Sequence, residues 1–161
     1  MTETSKAVAK AEDAFRDMRF AKKFITDIRN QLIRCLSIET TDHLPAYFRS
    51  PMAMPAKIGI RHDLVERFNV TDEDALLSLQ ITLSRYFQSD QYHQAMIQMT
   101  QRYSLDLEVT EELSEGDHTH YRIKAKIRAN KRAKKAKEAA AAKQNAEAAY
   151  TTKPSSKTDA T

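Results

Sequence analysis

Glycine occurs only twice in 161 residues, at Gly59 and Gly116, against a typical usage of roughly 7%. That leaves no glycine-rich phosphate loop and no dinucleotide fingerprint, so a nucleotide cofactor held through such a loop is not expected. One cysteine, Cys35, excludes an internal disulfide and a cysteine-based zinc site. Flanked by Leu32, Ile33 and Leu36, it reads as a core thiol in a reducing compartment. Tryptophan is absent and aromatics make up 7%, so only a modest core is expected. No apolar run approaches the roughly 18 residues of a membrane span, and the first 30 residues lack the apolar stretch of a signal peptide. A cytoplasmic protein with no membrane partner is the expectation. Catalytic groupings are also missing. No Ser/His/Asp or Cys/His set stands out, and His118 and His120 lack a third ligand at convincing spacing. The sequence therefore calls for no catalytic residues, no metal, no cofactor and no enzyme activity.

What the chain does have is charge, unevenly placed. Charged residues make up 30%, hydrophobic residues 41%, and mean hydropathy is −0.64. Residues 1–56 carry 9 basic and 7 acidic side chains, while 57–121 carry 5 and 12, a net of −7. Residues 122–143 carry 10 basic side chains against Glu138 alone, a net of +9. The remaining C-terminal residues balance, and the whole chain is +4. A like-charge run this dense repels itself and fits an arm that seeks a polyanion, most often nucleic acid. Two other readings stay open for it. The Ala139–Ala142 run also suits a solvated helical extension, and a membrane-surface arm lacks the aromatic or leucine stripe it would bury.

Along the chain, Val8, Ala11, Phe15, Met18, Phe20, Phe24, Ile25, Ile28, Leu32 and Cys35 recur mostly at three and four, which predicts one helix over 5–36 capped by Ser5. Pro45, Pro51 and Pro55 punctuate a loop that holds the apolar cluster Leu44, Tyr47 and Phe48. A short helix follows over 60–68. Thr71-Asp72-Glu73-Asp74 starts a helix through Tyr86, and Ser89-Asp90 caps another through Met99. Tyr103, Leu105, Leu107 and Val109 then alternate with polar residues, as in one or two short strands. Gly116-Asp117 is expected to break the chain before a final helix from about His118. The methionines 52, 54, 96 and 99 suit core filling.

Two blocks carry a family likeness. Met54-Pro55-Ala56-Lys57-Ile58-Gly59-Ile60-Arg61-His62-Asp63-Leu64-Val65 resembles the P-L-K-I-G-I-x-x-D-L signature of the bacterial ProQ/FinO family of RNA-binding proteins. Ser89-Asp90-Gln91-Tyr92, then Gln94-Ala95-Met96 and Gln101-Arg102-Tyr103, resemble that family's S-x-x-Y-L-x-A-M and C-R-Y-D stretches. Val109-Thr110-Glu111-Glu112-Leu113-Ser114 is similar to the hairpin of its FinO-like branch. The likeness spans about residues 40–127. It implies a mainly α, compact ProQ/FinO-type domain with a small β-hairpin over 40–121. To this would be added an N-terminal helical extension over 1–39, a basic Ala/Lys-rich extension over 122–150, and a disordered tail over 151–161.

By resemblance the protein is a monomeric RNA chaperone whose partners are structured RNAs, small regulatory RNAs and mRNAs, bound at a stem-loop with its 3′ single-stranded tail. Lys57 matches the signature lysine, Tyr92 the tyrosine of a 3′-end pocket, Arg102 an arginine of the concave face, and Ser89 a helix start set against phosphate. Arg61, Arg85, Arg122, Lys124, Lys126, Arg128, Lys131 and Arg132 complete the expected RNA-binding set. Structural roles remain open for each of the pocket residues. Lys57 suits a plain surface site, Arg61 either a phosphate or a neighbouring acid, Tyr92 ordinary core, and Arg102 a pair with Asp106 or Glu108. Asp63 reads better as a helix cap than as a site residue. Gln80, Ile81 and Ser84 stand where relatives carry basic residues, with Arg85 displaced by one position. His93, Gln101 and Ser104 also depart from the pattern. With −7 over the domain, the flanks are expected to supply more of the affinity. A nonspecific or DNA-binding regulator acting through the arm is the alternative. Its helix-turn-helix version, over 60–68 and 72–86, would present Asp72, Glu73 and Asp74 to phosphate with the wrong sign.

Overall fold

The computed structural model describes residues 16–151, with side chains to 148; the expected Ser5 cap and the tail beyond 151 lie outside the described residues. Ile25, Ile28, Leu32, Cys35 and Leu36 recur at helical spacing, and they form the buried stripe of α1, Lys22–Leu36. α1 ends on Ser37 in the left-handed region (φ 55), where the amide of Ser37 donates to Arg34 O and that of Ile38 to Ile33 O. These bonds satisfy the last carbonyls of the helix as a Schellman closure does.

A single helix over 5–36 is not what forms. Residues 16–18 are helical, and the chain then opens at 19–21. Phe20 N–H donates to Pro51 O and Ala53 N–H to Met18 O, with Arg19 bridged antiparallel to Met52. The helical period ran through this gap because Met18 and Phe20 are both buried, but they are buried as an extended pair against 51–53.

After a 3₁₀ turn at Thr41–His43 comes α2, Ala46–Arg49. Tyr47 and Phe48 are fully buried, so the Pro-spaced loop delivers two large core rings. Arg29 on α1 holds this turn: Nε donates to Phe48 O (3.0 Å), and NH2 donates to Arg49 O (2.8 Å) and Ser50 O (3.2 Å). Those carbonyls are the open end of α2, and a guanidinium fork can serve all three.

α3, Ile60–Arg67, opens after Gly59, whose φ of +84 favours glycine. α4, Glu73–Phe87, is capped by Asp72, which accepts from the Ala75 amide at 3.0 Å; Leu79, Thr82, Leu83 and Tyr86 are its buried side. α1 packs against α4. Ser89 caps α5, Asp90–Gln98, as expected, accepting from the Tyr92 amide at 3.2 Å.

The hairpin is offset from the alternating run. β1 is Gln101–Tyr103 and β2 is Val109–Glu112, antiparallel, with Gln101 opposite Glu112, Arg102 opposite Glu111 and Tyr103 opposite Val109 across an irregular step. Residues 104–108 are the connection, tied by Ser104 Oγ accepting from the amides of Asp106 and Glu108, with Leu107 at φ 62. Leu105 is buried there, which mimicked a strand period. Gly116 does not break the chain either: α6, Glu115–Thr151, begins on Ser114, and Gly116 sits in its first turn.

The described residues are thus mainly helical with one two-stranded sheet, and they fall into two units divided at 123/124. The α1 stripe belongs to the same core as α4 and α5. No helix among the described residues is long and apolar enough to cross a membrane.

Replacing Arg29 by Ala leaves three carbonyls without their charged donor, and hydrogen bonds to charged groups contribute about 1.5–3 kcal/mol each. Urea unfolding of Arg29→Ala is expected to show a loss of about 2–3 kcal/mol. Arg29→Lys should recover only part of it, because an ammonium has no planar fork.

Candidate nucleic-acid interface

The signature loop is fastened to the hairpin. Tyr103 N–H donates to Pro55 O and Lys57 N–H to Tyr103 O, both at 2.8 Å, so residues 55–57 lie as a short parallel partner to β1. The hydroxyl of Tyr92, from the first turn of α5, accepts from the Ala56 amide at 3.2 Å. Arg102 NH1, from β1, donates to Ala56 O at 2.9 Å. Two elements, α5 and β1, thus converge on one unit of the signature, the backbone of Ala56.

Around that unit lies a pocket of about 300 Å³ lined by Ala56, Lys57, Gly59, Ile60, Arg61, Phe87, Tyr92, Arg102 and Tyr121. It brings together four of the expected residues, Lys57, Arg61, Tyr92 and Arg102, from α3, α5, β1 and the loop before α3. Its aromatic wall is continuous, with Phe87–Tyr92 ring centroids at 4.9 Å and Tyr92–Tyr121 at 6.1 Å. Burial pushes the Tyr92 phenol up to about 12, so it stays a neutral hydroxyl in any ordinary buffer.

Two of the three cations here, Lys57 and Arg102, are already paired. Lys57 Nζ lies 2.7 Å from Asp63 Oδ2, so Asp63 serves as an ion-pair partner and not as the cap expected for it. Arg102 faces Asp117 at 3.4 Å and Glu111 at 4.0 Å, with 12% of its side chain exposed. The expected partner Asp106 pairs instead with Arg67, at 2.7 Å. Arg61 is exposed and makes no hydrogen bond or ion pair with the described residues.

Ser89 spends its hydroxyl internally, donating to Tyr86 O at 2.6 Å while it accepts from Tyr92. Its contribution is to start α5 beside the pocket, where helix-start amides favour negative charge. Arg85 is exposed on α4 and does not line the pocket. Arg122 is exposed and pairs with Glu115 at 3.4 Å. A neighbouring cleft of about 450 Å³ also touches Lys57 and Arg67, but the four carboxylates of Asp63, Glu66, Asp106 and Glu108 line it as well, which leaves it net negative and unsuited to phosphate. Phe87, Tyr121, Asp117 and Glu111 were not singled out in the sequence. Only the Ser114-x-x-Asp117 capping pattern gave any signal for them. Among the described residues no group of three His, Cys, Asp or Glu side chains is placed to hold a metal.

A family model, ProQ/FINO family, matches residues 30–139. The chain belongs to the ProQ/FINO family. No curated protein matches it. Among solved structures it is similar to a FinO-like RNA chaperone from Neisseria meningitidis MC58, with 17% identity and a TM-score of 0.44 over 75% of this chain and 89% of that one. The ProQ/FINO match starts inside α1 and continues into the basic helix.

That helix carries Lys124, Lys126, Arg128, Lys131 and Arg132 in the second unit, where nearly every side chain to 148 is exposed. Its basic residues lie on all sides. Like charges stand four apart at Lys124/Arg128, Arg128/Arg132 and Lys131/Lys135, each pair costing about 0.2–0.5 kcal/mol of helix stability. Raising salt from about 0.01 M to about 1 M shortens the screening length from about 30 Å to 3 Å. Cα chemical shifts over 124–148 are expected to move toward helical values across that range, while those of α4 stay fixed.

Proposed function

We propose that this ProQ/FINO protein is an RNA chaperone that recognises a terminator-type stem-loop together with its 3′ single-stranded tail. Its targets are small or antisense RNAs and mRNAs, which it stabilises and whose pairing with complementary RNA it modulates. The observation that carries this reading is the pocket, where an unpaired arginine, Arg61, stands beside the aromatic wall of Phe87, Tyr92 and Tyr121. Single-stranded RNA is recognised by stacking of splayed bases on aromatic rings and by contacts to sugar hydroxyls and phosphates. A duplex does not offer a free terminal nucleotide to a pocket of this size.

Work divides between the two units in this reading. The pocket reads the tail. The basic segment from Arg122 through Lys124, Lys126, Arg128, Lys131 and Arg132 supplies sequence-independent attraction to the stem, which a domain of −7 supplies poorly. The net charge of +9 over residues 122–143 also favours the second reading, a nonspecific nucleic-acid binder, and the two differ in what the tail does.

In a gel-shift titration of one terminator hairpin, removing the 3′ tail is expected to weaken binding roughly tenfold or more, about 1.4 kcal/mol per decade. Tyr92→Ala should weaken tailed hairpins while leaving a blunt duplex within about twofold of wild type. Replacing Lys131, Arg132, Lys134 and Lys135 by Gln should weaken all RNAs alike and flatten the dependence of log K on log salt, since each neutralised phosphate contributes about 0.9 to that slope. Indifference to the tail would leave the nonspecific reading.

A further inference from the structure

α4 turns Leu79, Thr82, Leu83 and Tyr86 into the core. At 3.6 residues per turn the opposite stripe runs through Glu73, Asp74, Leu77, Ile81, Ser84 and Arg85, and every one of these is exposed. A surface helix is normally polar along that line. Here Leu77 and Ile81 stand at its crest, one turn apart, and are 58% and 54% exposed. Beside them a groove of about 420 Å³ runs between α3 and α4, with Val65, Leu76, Leu77 and Leu79 in its wall. Crest and groove form one apolar surface that the packing of the domain does not use.

Charge says what fits there. Glu73 and Asp74 stand at one end of the stripe and Arg85 at the other. The ion pairs among the described residues engage none of the three. A second α4 laid antiparallel, about a two-fold axis level with Leu79, sets Leu77 opposite Ile81 and Glu73 opposite Arg85, and the symmetry makes each pair twice. Asp74 then meets Ser84, whose hydroxyl can donate to it. A parallel pairing would instead set Glu73 on Glu73 and Arg85 on Arg85. With a shallow crossing of about 20°, both ends of a helix about 22 Å long stay in reach. The face is therefore complementary to itself in one orientation only.

We propose that the exposed face of α4 is a self-docking surface, on which a second copy of this chain seats its own α4 antiparallel. The family likeness implies a monomer; the α4 face makes the chain a weak dimer, since a contact of one helix on one helix falls at the small, transient end of protein interfaces. Under the proposed function the dimer carries two pockets and two basic arms, and an RNA on one copy raises the effective concentration of an RNA on the other.

The test is sedimentation equilibrium of the full chain without RNA, at low ionic strength, where exposed pairs are screened least. Wild type should show a monomer-dimer equilibrium with a Kd on the order of 100 µM. Leu77→Gln/Ile81→Gln keeps good helix formers at exposed positions, so it should leave the melting temperature unchanged and weaken association at least about tenfold. Arg85→Glu and Glu73→Arg each meet like charge in their own dimer, and each alone should associate roughly tenfold more weakly than wild type. Mixed in equal amounts, the two variants should recover association to within about threefold of wild type, because position 73 of each then faces opposite charge at position 85 of the other. A monomer at every concentration would overturn the proposal, and so would a dimer that survives Leu77→Gln/Ile81→Gln or a mixture that fails to recover. The other occupant of an acidic domain is the basic arm of a second copy. Association lost on replacing Lys131, Arg132, Lys134 and Lys135 by Gln, but kept in the α4 variants, would assign it to that arm and also overturn the proposal.

Discussion

The ring of Tyr86 is where the fold closes. Its centroid lies 4.9 Å from Phe20, 5.9 Å from Tyr47, 5.5 Å from Phe48, 5.2 Å from Phe87 and 6.2 Å from Tyr92. Those rings come from the bridge at 18–20, from α2, from the end of α4 and from the start of α5. Aromatic pairs at such distances contribute about 0.5–1.5 kcal/mol beyond the area they bury, and all of them meet one side chain on α4. Burial holds the phenols of Tyr47 and Tyr86 well above the usual range. The Tyr47 hydroxyl donates to Met54 O at the edge of the signature loop. The core and the pocket therefore share a wall. Tyr92 lies tilted against Tyr86 and turns its hydroxyl to Ala56, so the geometry at Ala56, Lys57 and Arg102 depends on how the aromatic cluster packs.

Electrostatics sorts the surface that this core supports. The domain is acidic, and its two clefts beside Lys57 differ in charge. One is edged by Asp63, Glu66, Asp106 and Glu108, and the other by Lys57 and Arg102, whose charge is matched from behind, and by the unpaired Arg61. The basic charge of the protein is concentrated in the helix beyond 123. Under the proposed function this separation has a physical advantage. Long-range attraction scales with net charge and is screened by salt, whereas a nearly neutral, immobilised pocket acts only at contact and can discriminate. Placing the two in different parts of the chain lets affinity and selectivity change independently.

Much of this was legible in the residues. Asp72 and Ser89 announced the starts of α4 and α5 because side-chain caps are local, and the signature block located the pocket because Gly59 must adopt a positive φ before α3. Lys57, Arg61, Tyr92 and Arg102 were named from their motif and do meet. What failed was non-local. The helical period continued through Arg19–Ala21 because burial there is set by residues 51–53, thirty positions away. Leu105 and Leu107 alternated like a strand because a tight connection also buries one side chain in two. The partners of Arg102 were sought among nearby acids in the hairpin turn, but Asp106 had been taken by Arg67 from α3. Tyr121 and Asp117 reach the pocket only because α6 begins beside β1, and no motif marks that.

The central claim is that the pocket at Ala56, and not the basic helix alone, receives the end of an RNA. It is tested most directly by titrating ¹⁵N-labelled full-length protein with a short single-stranded oligoribonucleotide that has a free 3′ end and no stem. The account predicts amide shift changes concentrated at residues 56–61, at the start of α5 and at Arg102, saturating together. Changes confined to residues 122–143, with the signature loop unmoved, would contradict it.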